Sequence, residues 1–285
     1  MLEYTKELMP LSLGSMSKAS QTQPLRKREY PGICMSNIIC ITGATSGLGR
    51  AAARLFIKNG WSVIGTGRRA ARLEEMRKEL GERFLGLCFD IQSREETKAA
   101  FDGIPKDFSA VDVLFNNAGL FAGDGRVQDG DTEAWETMVN TNILGLLYCT
   151  RLLLPGMLAR GRGHVVNVGS VAGSRAFPTG NVYGASKAFV RHLSDNMRSD
   201  LLGTPIRVTC LAPGRTRTEF SLVHNAGDAT LAEKEYATGR PLDAEDIARA
   251  LWWVVQCPPH MDVSFMEIMP TGQADGGPHF ADVTF

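Results

Sequence analysis

The sequence predicts a doubly wound α/β fold, and three observations carry the prediction. From Ser36 onward, short apolar runs alternate with longer amphipathic segments. Most of the apolar runs are rich in β-branched residues and too short for helices, which is typical of buried strands. A loop with three glycines follows the first run. Strands that alternate with helices give right-handed crossovers and a parallel sheet covered on both faces. We therefore expect a Rossmann fold with about seven parallel strands and helices on both faces.

The predicted elements follow one another without an internal repeat or a low-complexity segment. The amphipathic segments predict helices at 51–58, 71–80 and 94–101, and two longer ones at about 135–159 and 181–202. The predicted strands are 38–41, 61–64, 84–89, 111–115, 164–168, 207–211 and 263–269.

The length allows one large domain or two small ones, and the continuous alternation of strands and helices favours one. The chain has 285 residues, of which 44% are hydrophobic and 22% charged, so it can bury a substantial core. We expect the domain to span residues 36–272, with a disordered N-terminal tail at 1–35 and a C-terminal tail at 273–285. The N-terminal tail lacks the apolar stretch typical of a secretory signal.

Charge, hydropathy and cysteine spacing argue against several classes of protein. Lys plus Arg and Asp plus Glu both number 31, so the chain lacks the basic excess of nucleic-acid and anionic-membrane binders. No apolar run approaches the roughly 18–20 residues of a membrane span. The six cysteines form no CxxC pair and do not cluster with the five histidines, which favours neither a metal site nor disulfides. We expect a cytoplasmic protein with a small-molecule substrate.

The glycine-rich loop follows the first predicted strand and opens the first helix. Its spacing is GxxxGxG, with glycines that permit a tight turn and a close backbone approach. The free N–H groups and positive dipole end of the helix suit a dinucleotide pyrophosphate. The alternative is a purely structural turn, because three glycines alone are a weak signal. The loop residues assigned to a cofactor are Thr42, Gly43, Ser46, Gly47, Leu48 and Gly49.

The end of the second predicted strand indicates which dinucleotide binds. An NAD site usually places a carboxylate there for the ribose hydroxyl, whereas an NADP site needs cations for the 2′-phosphate. This strand ends in Gly67, Arg68 and Arg69, and a guanidinium suits a phosphate. The prediction is NADP. The alternative is a pair of solvated arginines at the start of a helix.

Three polar residues predict catalytic chemistry. Tyr183 and Lys187 lie four residues apart in a predicted helix, so they share one helical face. An ammonium group near a phenol favours the phenolate and would make the tyrosine a better base. Ser170 follows the strand 164–168, at the carboxyl edge where such sheets bind ligands. A Tyr-x-x-x-Lys pair alone occurs by chance in many helices, but its combination with Ser170 and the glycine loop is specific.

These motifs together resemble the short-chain dehydrogenase/reductase superfamily. The resemblance covers residues 36 to about 272 and includes the loop 42–49, Asn116-Asn117-Ala118-Gly119, Asn142, Ser170, Tyr183-x-x-x-Lys187 and Pro213-Gly214. It implies that Tyr183 is the general acid/base, that Lys187 lowers the Tyr183 pKa and holds the nicotinamide ribose, and that Ser170 binds the reacting oxygen. It also implies that Asn142 binds a water in a proton relay. The alternative for Asn142 is a polar residue that kinks a helix and is satisfied by the backbone.

The resemblance implies further cofactor contacts beyond the loop. Asp90 and Ile91 would flank the adenine, although Asp90 also suits a simple helix cap. The segment 215–217 departs from the family pattern, which makes the carboxamide contacts less certain than the catalytic ones. The remaining residues assigned to the cofactor are Asn117, Ala118, Gly119, Pro213, Gly214, Thr216 and Thr218, together with Tyr183 and Lys187.

A narrower resemblance to NADP-dependent 3-hydroxy acid dehydrogenases implies the substrate class. It includes Gly-Thr-Gly-Arg-Arg at 65–69 and Met-Glu-Ile-Met-Pro-Thr at 266–271, and it implies serine, allo-threonine or a 3-hydroxyisobutyrate-like acid. Ser170 and Tyr183 would bind the reacting end, and Arg175 and Arg217 are candidates for the substrate carboxylate, with Arg215 as a third. Solvated surface arginines are the simpler interpretation of all three.

The resemblance also implies a substrate lid near 218–240 and a homodimer or homotetramer formed through the two long helices. Sequence alone does not separate such an interface from an ordinary core face. Within the enzyme class, a broad carbonyl reductase for apolar ketones is the alternative. A nucleotide-sensing regulator without turnover is the alternative from another class, but the intact Ser170, Tyr183 and Lys187 favour an enzyme.

Overall fold

The computed structural model describes residues 37–123, 125–225, 227–274 and 280–283. The predicted N-terminal tail at 1–35 lies outside the described residues. The strands are β1 Ile38–Ile41, β2 Ser62–Gly67, β3 Phe84–Cys88, β4 Val113–Asn116, β5 Gly163–Val168, β6 Ile206–Pro213, β7 Thr216–Arg217, β8 Leu242–Asp243 and β9 Phe265–Ile268. The α-helices are α1 Gly47–Lys58, α2 Ala70–Leu80, α3 Arg94–Asp102, α4 Thr132–Val139, α5 Leu146–Ala159, α6 Asn181–Asp200, α7 Phe220–His224, α8 Ala229–Lys234 and α9 Ala244–Gln256.

Seven strands form one parallel sheet in the order β3-β2-β1-β4-β5-β6-β9. Every predicted strand is therefore present, and the predicted doubly wound Rossmann fold is confirmed. The order reverses between β1 and β4, where Ile39 lies beside Val113 on one side and Val63 on the other. Ligands of open α/β sheets bind at the carboxyl ends of the strands at such a switch point. The topology thus fixes where a site must lie.

Alternate residues of each strand face opposite sides of the sheet, and each side is covered by helices. In β1, Ile39 and Ile41 belong to a core with α1, α2 and α9, whereas Ile38 and Cys40 belong to a core with α3, α5 and α6. All four are buried, as expected for a strand covered on both faces. The two cores hold the sheet rigid beneath the switch point.

The predicted helix 135–159 is wrong in one respect, because a π-helical segment at Asn140–Gly145 separates α4 from α5. The Asn142 side chain explains the interruption: its Oδ1 accepts from the Leu120 backbone N–H and its Nδ2 donates to the Leu120 carbonyl, both at 2.9 Å. Such π segments are rare and often lie at functional sites. Here the segment carries a polar side chain into the region below the cavity.

The helical run 132–159 has the length and apolar composition that a membrane span also requires, within the part of the chain that the structure describes. Core helices of water-soluble proteins meet the same two criteria. Length and composition alone therefore assign no membrane to this helix.

The segment between β6 and α9 contains the short helices α7 and α8 and a two-residue pairing of β7 with β8. The described C-terminal residues return to the end of this segment. The Ala281 N–H donates to the Gly272 carbonyl, and the Gly239 N–H donates to Asp282 Oδ1, both at 2.8 Å. Part of the stretch predicted as a C-terminal tail thus packs beside the stretch predicted as a lid.

His164 gives the fold a testable dependence on pH. Burial, with a smaller contribution from the Arg207 charge, holds the pKa of His164 well below its usual value. The ring is buried and its Nε2 lies 2.8 Å from Thr209 Oγ1. The unfolded chain binds a proton there below about pH 6.5, whereas the folded chain does not, so stability must fall as the pH drops. We expect His164 to contribute about 1.4 kcal/mol per pH unit to that slope.

The measurement is urea unfolding between pH 7 and pH 5, and His164→Gln should flatten the slope relative to the wild type. His260→Gln is the control, because His260 is exposed. Equal slopes for the wild type and His164→Gln would contradict the assignment.

Candidate active site

A cavity of about 530 Å³ opens at the carboxyl edge of the sheet, at the switch point. It brings together residues from the loops after β1, β2, β3, β4, β5 and β6. Among the residues predicted from the sequence, those that line it are Gly43, Ser46, Gly47, Leu48, Arg68, Arg69, Asp90, Ile91, Asn117, Ala118, Gly119, Ser170, Arg175, Tyr183, Lys187, Pro213, Gly214, Thr216 and Thr218. Four predicted residues do not line it: Thr42, Gly49, Asn142 and Arg217.

The glycine loop passes so close to its neighbours that side chains are excluded. A Cβ on Gly49 would lie 2.4 Å from the Gly43 carbonyl oxygen and 2.8 Å from Asn117 Nδ2. Gly43 and Gly47 have φ values of 66° and 47°, the left-handed region that glycine adopts readily. The loop therefore needs these glycines for its own packing, and the same geometry leaves the N-terminus of α1 open toward the cavity.

Thr42 supports the loop from below rather than lining the cavity. Its hydroxyl accepts from the backbone N–H groups of Asn117 and Ala118, at 3.0 and 2.9 Å. The Asn117 side chain in turn donates to the carbonyls of Thr42 and Gly43, at 2.9 and 3.1 Å. The ends of β1 and β4 are thereby joined at the place where a dinucleotide would lie.

Cations gather beside the loop, at the end of β2. The Arg69 guanidinium donates to Thr45 Oγ1 at 2.8 Å and to Ser46 Oγ at 3.2 Å. Arg68 is more exposed and lies 3.6 Å from Asp90. Gly67 is followed immediately by these two arginines, where an NAD site would usually place a carboxylate. Two guanidinium groups and two hydroxyls therefore surround one corner of the cavity, a donor set that fits a phosphate.

Ser170, Tyr183 and Lys187 meet at the opposite end of the cavity. Ser170 begins a short 3-10 helix after β5, and its Oγ accepts from the Ala172 N–H at 3.1 Å. The Lys187 Nζ donates to the Val168 carbonyl at 2.9 Å and lies 5.9 Å from the centre of the Tyr183 ring. A Cβ on Gly173 would lie 2.6 Å from the Lys187 backbone, so this turn packs directly on α6.

Burial dominates the ionisation of this group. It raises the pKa of Tyr183 to about 12, opposed by the hydrogen bond with Ser170. It lowers the pKa of Lys187 to about 8. The lowering of the Tyr183 pKa by Lys187 stays a prediction, because burial and the Ser170 hydrogen bond account for the shift here. Burial therefore favours the neutral phenol of Tyr183, the form that can give a proton.

Asn142 is buried and its side chain takes part in three hydrogen bonds. Besides the two bonds to Leu120, its Nδ2 donates to Ser186 Oγ at 3.0 Å, and Ser186 donates to the Tyr183 carbonyl at 2.7 Å. A Cβ on Gly119 would lie 3.2 Å from Asn142 Oδ1 and 3.3 Å from Lys187 Nζ. These contacts match the backbone-satisfied alternative for Asn142, and its role in binding a relay water stays a prediction.

The segment after β6, which carries the residues assigned to the nicotinamide, contacts both the glycine loop and Gln273. A Cβ on Gly47 would lie 3.1 Å from the Thr218 side chain, so the segment after β6 closes over the glycine loop. The Arg215 backbone N–H donates to Gln273 Oε1 at 2.8 Å. Gln273 thus fixes the turn that follows Pro213 and Gly214.

The three arginines considered for a substrate carboxylate are all engaged within the chain. Arg175 lines the cavity but donates two hydrogen bonds to Glu267, at 2.7 and 2.9 Å. Arg217 does not line the cavity and pairs with Glu233 at 2.7 Å, so its assignment as a substrate ligand stays a prediction. Arg215 donates to the carbonyls of Glu235, Thr238 and Gly239, and its guanidinium lies 3.3 Å from the Phe280 ring centre.

Sequence reasoning missed the aromatic wall beside Tyr183. The Phe121 ring stacks on Tyr183 with centroids 4.7 Å apart, and Phe220 lies 5.7 Å from Tyr183. Phe177, Tyr236 and Phe280 also belong to the site, the last from the C-terminal stretch. Isolated aromatics in loops carry no periodic signal, so no pattern in the sequence marked them.

Comparisons with known proteins agree with this geometry. The sequence matches the short chain dehydrogenase family over residues 37–229. It is 46% identical to a serine 3-dehydrogenase of Rhizobium radiobacter over 85% of this chain and 97% of the relative. It is also 46% identical to an NADP-dependent 3-hydroxy acid dehydrogenase of Salmonella typhi, over 84% and 97% of the two chains. Among solved structures, the closed form of a serine dehydrogenase complexed with NADP+ superposes with a TM-score of 0.82 at 43% identity, covering 87% of this chain and 98% of the other.

Burial of Lys187 predicts a gain of stability when its charge is removed. The unfolded pKa near 10.5 exceeds the folded value of about 8, so at pH 7 the buried ammonium destabilises the fold by roughly 3 kcal/mol. Lys187→Met also leaves the Val168 carbonyl without its partner, which costs about 1–2 kcal/mol. We expect a net gain of about 1–2 kcal/mol in the cofactor-free protein at pH 7.

Thermal unfolding measures this gain, and Lys58→Met is the control because Lys58 is exposed at the end of α1. The gain should shrink between pH 8 and pH 10.5, because the folded protein already releases the Lys187 proton in that range. A Lys187→Met protein less stable than the wild type at pH 7 would refute the argument.

Proposed function

The chain belongs to the short-chain dehydrogenase family, and on that premise we propose that it interconverts a short 3-hydroxy acid and its 3-oxo acid. It is an NADP-dependent oxidoreductase that acts on CH–OH groups. The single observation that carries the proposal is that one cavity joins the glycine loop and its arginines to Ser170, Tyr183 and Lys187. A nucleotide sensor would need the first group but not the second.

The protein residues divide the work along the cavity. The glycine loop and the open N-terminus of α1 suit the pyrophosphate, and Arg68 and Arg69 suit the 2′-phosphate. When bound, NADP supplies the hydride-exchanging C4 carbon and, in its oxidised form, the positive charge of the nicotinamide. Asp90 and Ile91 also line the cavity, and we assign the adenine to them.

We assign the proton transfer to Tyr183. During reduction its phenol gives a proton to the substrate oxygen, and during oxidation its phenolate accepts the proton from the hydroxyl. Ser170 holds the same oxygen by a hydrogen bond and stabilises the negative charge that develops there. Lys187, placed on the same helical face, supports the phenolate once the cavity is filled. Asn142 acts through Ser186 and the Tyr183 carbonyl and is a positioning residue.

Two observations bear on the substrate in opposite directions. Relatives named as serine and 3-hydroxy acid dehydrogenases support a small acid. The catalytic end of the cavity is lined by apolar groups such as Phe177, Phe220 and Met269, and the nearby arginines are engaged within the chain. The second observation favours a broad carbonyl reductase for apolar ketones as the alternative. Arg175 and Arg215 both line the cavity, and we retain Arg175 as the carboxylate ligand, because the Arg215 guanidinium is bound to three backbone carbonyls.

We also propose that residues 218–240 form a substrate lid and that the chain assembles into a homodimer or homotetramer through its two long helical runs. Exposed apolar side chains on these runs support the assembly: Val139, Leu158 and Phe189 are each more than a third exposed. Large exposed apolar patches are rare on monomeric proteins and often mark a protein–protein interface.

Tyr183→Phe tests the catalytic assignment. We expect it to lower kcat by about 10²-fold or more, the range of a positioned acid/base, while NADP affinity stays within about twofold. Steady-state rates and a fluorescence titration of NADP measure the two effects. Tyr148→Phe is the matched control, because Tyr148 lies on α5 away from the cavity. Retention of a tenth of the wild-type rate would require another proton donor.

A panel of substrates tests the chemical class. Serine, allo-threonine and 3-hydroxyisobutyrate should each be oxidised with NADP, and their methyl esters should lose about 10-fold or more in kcat/KM, because an ester lacks the negative charge that a guanidinium pairs with. Arg175→Gln should abolish the difference between acid and ester. Esters or simple ketones that react as fast as the acids would establish the carbonyl reductase instead.

A further inference from the structure

Glu219 connects the two ends of the cavity. It lies directly before α7, at the start of the proposed lid. Its carboxylate accepts hydrogen bonds from Arg72 at 2.8 and 2.7 Å and from Arg69 at 3.2 Å. These arginines lie about 150 positions earlier in the chain, at the end of β2 and in α2. One carboxylate therefore ties the lid to the corner of the cavity that suits a phosphate.

Arg69 is shared between two groups. Its second terminal nitrogen donates to Thr45 and Ser46 of the glycine loop, and its first nitrogen meets Glu219. Burial alone would raise the pKa of Glu219, but the hydrogen bonds and charges of Arg72 and Arg69 together outweigh it and hold the pKa below its usual value. An anion that enters this corner meets a guanidinium that already has an anionic partner.

The other side of Glu219 leads to the catalytic group. Phe220, the next residue, lies 5.7 Å from the Tyr183 ring. Ser221 lies 2.6 Å from the Tyr236 hydroxyl, which also contacts the carbonyls of Thr216 and Thr218. Residues 216–221 are thus bound together through Tyr236. A displacement of Glu219 would therefore displace this whole segment.

We propose that Glu219 is a positioning residue that fastens the lid by occupying the cations of the 2′-phosphate corner, so that the phosphate and the lid compete for Arg69. The inference rests on the proposed function, which assigns that corner to NADP and residues 218–240 to a lid. By linkage, a ligand that takes Arg69 must loosen the lid, and loss of Glu219 must strengthen the binding of that ligand. Arg72 keeps Glu219 attached after Arg69 is taken, so the lid loosens without being released.

The expected effect is modest and has a definite sign. Glu219, Arg69 and Arg72 are 42%, 45% and 38% exposed, and exposed ion pairs correspond to about a threefold change in an equilibrium. A residue that merely stabilised the local fold would loosen the lid and weaken ligand binding together when removed. If Glu219 competes with the ligand, its removal should instead loosen the lid and strengthen ligand binding.

Adenosine 2′,5′-bisphosphate is the probe, because it fills the phosphate corner without reaching Tyr183. In wild-type protein, it should speed hydrogen–deuterium exchange of residues 220–236 by about threefold. Adenosine 5′-monophosphate, which lacks the 2′-phosphate, should leave the exchange unchanged. Neither measurement needs turnover or a substrate.

Glu219→Gln should exchange faster in the lid by about threefold without any ligand, and the probe should add nothing further. Calorimetry should show that this variant binds the bisphosphate about threefold more tightly than wild type. Glu79→Gln is the matched control, because Glu79 also pairs with two arginines, Arg50 and Arg54, but lies outside the cavity. It should behave as wild type in both measurements.

Lid exchange that the probe leaves unchanged or slows in wild type would overturn the proposal, as would equal or weaker probe binding by Glu219→Gln. Absence of bisphosphate binding to wild type would instead refute the assignment of the phosphate corner and thus the cofactor. Binding without a lid response refutes the role of Glu219 alone.

Discussion

The site depends on backbone packing directly against backbone where β1 turns into α1. The Gly43 carbonyl occupies the space that a Gly49 side chain would need, and the Asn117 amide bonds to the same loop. This contact brings the end of β4 against the end of β1 at the switch point of the sheet. Gly119 follows two residues after Asn117, and a Cβ on it would lie 3.3 Å from Lys187 Nζ. The close packing of β1 and β4 thus positions the glycine loop and also brings the loop after β4 next to Lys187 on α6.

The catalytic end of the cavity holds ionisable groups in an environment that disfavours their charges. Phe121 stacks on Tyr183, and the Lys187 ammonium has a backbone carbonyl as its hydrogen-bond acceptor. Desolvation keeps the phenol protonated and makes the ammonium easier to deprotonate. Such a site stores unfavourable electrostatic energy that a positively charged nicotinamide would relieve for the phenolate. The two cores around β1 stabilise the scaffold enough to hold this arrangement.

Local patterns predicted the fold well because periodicity, glycine spacing and strand ends are short-range properties. All seven sheet strands and the Rossmann topology follow from them, and the grouping of Ser170, Tyr183 and Lys187 follows from the strand and helix that carry them. The predictions of an unbroken helix at 135–159 and of a free arginine at 175 depended on contacts between residues far apart in the chain. The π segment at Asn140–Gly145 arises from Asn142 bonding to a loop 22 positions away. The pairing of Arg175 with Glu267 spans 92 positions. Charge partners at such distances leave no trace in composition or spacing, so an arginine that appears free in the sequence is engaged in the fold.

Long-range ion pairs also decide which parts of the site can respond to a ligand. Arg175 and Arg215 hold elements together away from the 2′-phosphate corner, whereas Arg69 pairs within it. An ion pair inside a ligand-binding corner differs from one elsewhere, because the ligand competes with the internal partner and the displaced partner carries the change to its own element. Here the displaced partner belongs to the segment that reaches Phe220 and Tyr236. The chain therefore connects recognition of one phosphate to the position of the wall beside Tyr183 through a single carboxylate, and no movement of the rigid sheet is needed for that connection.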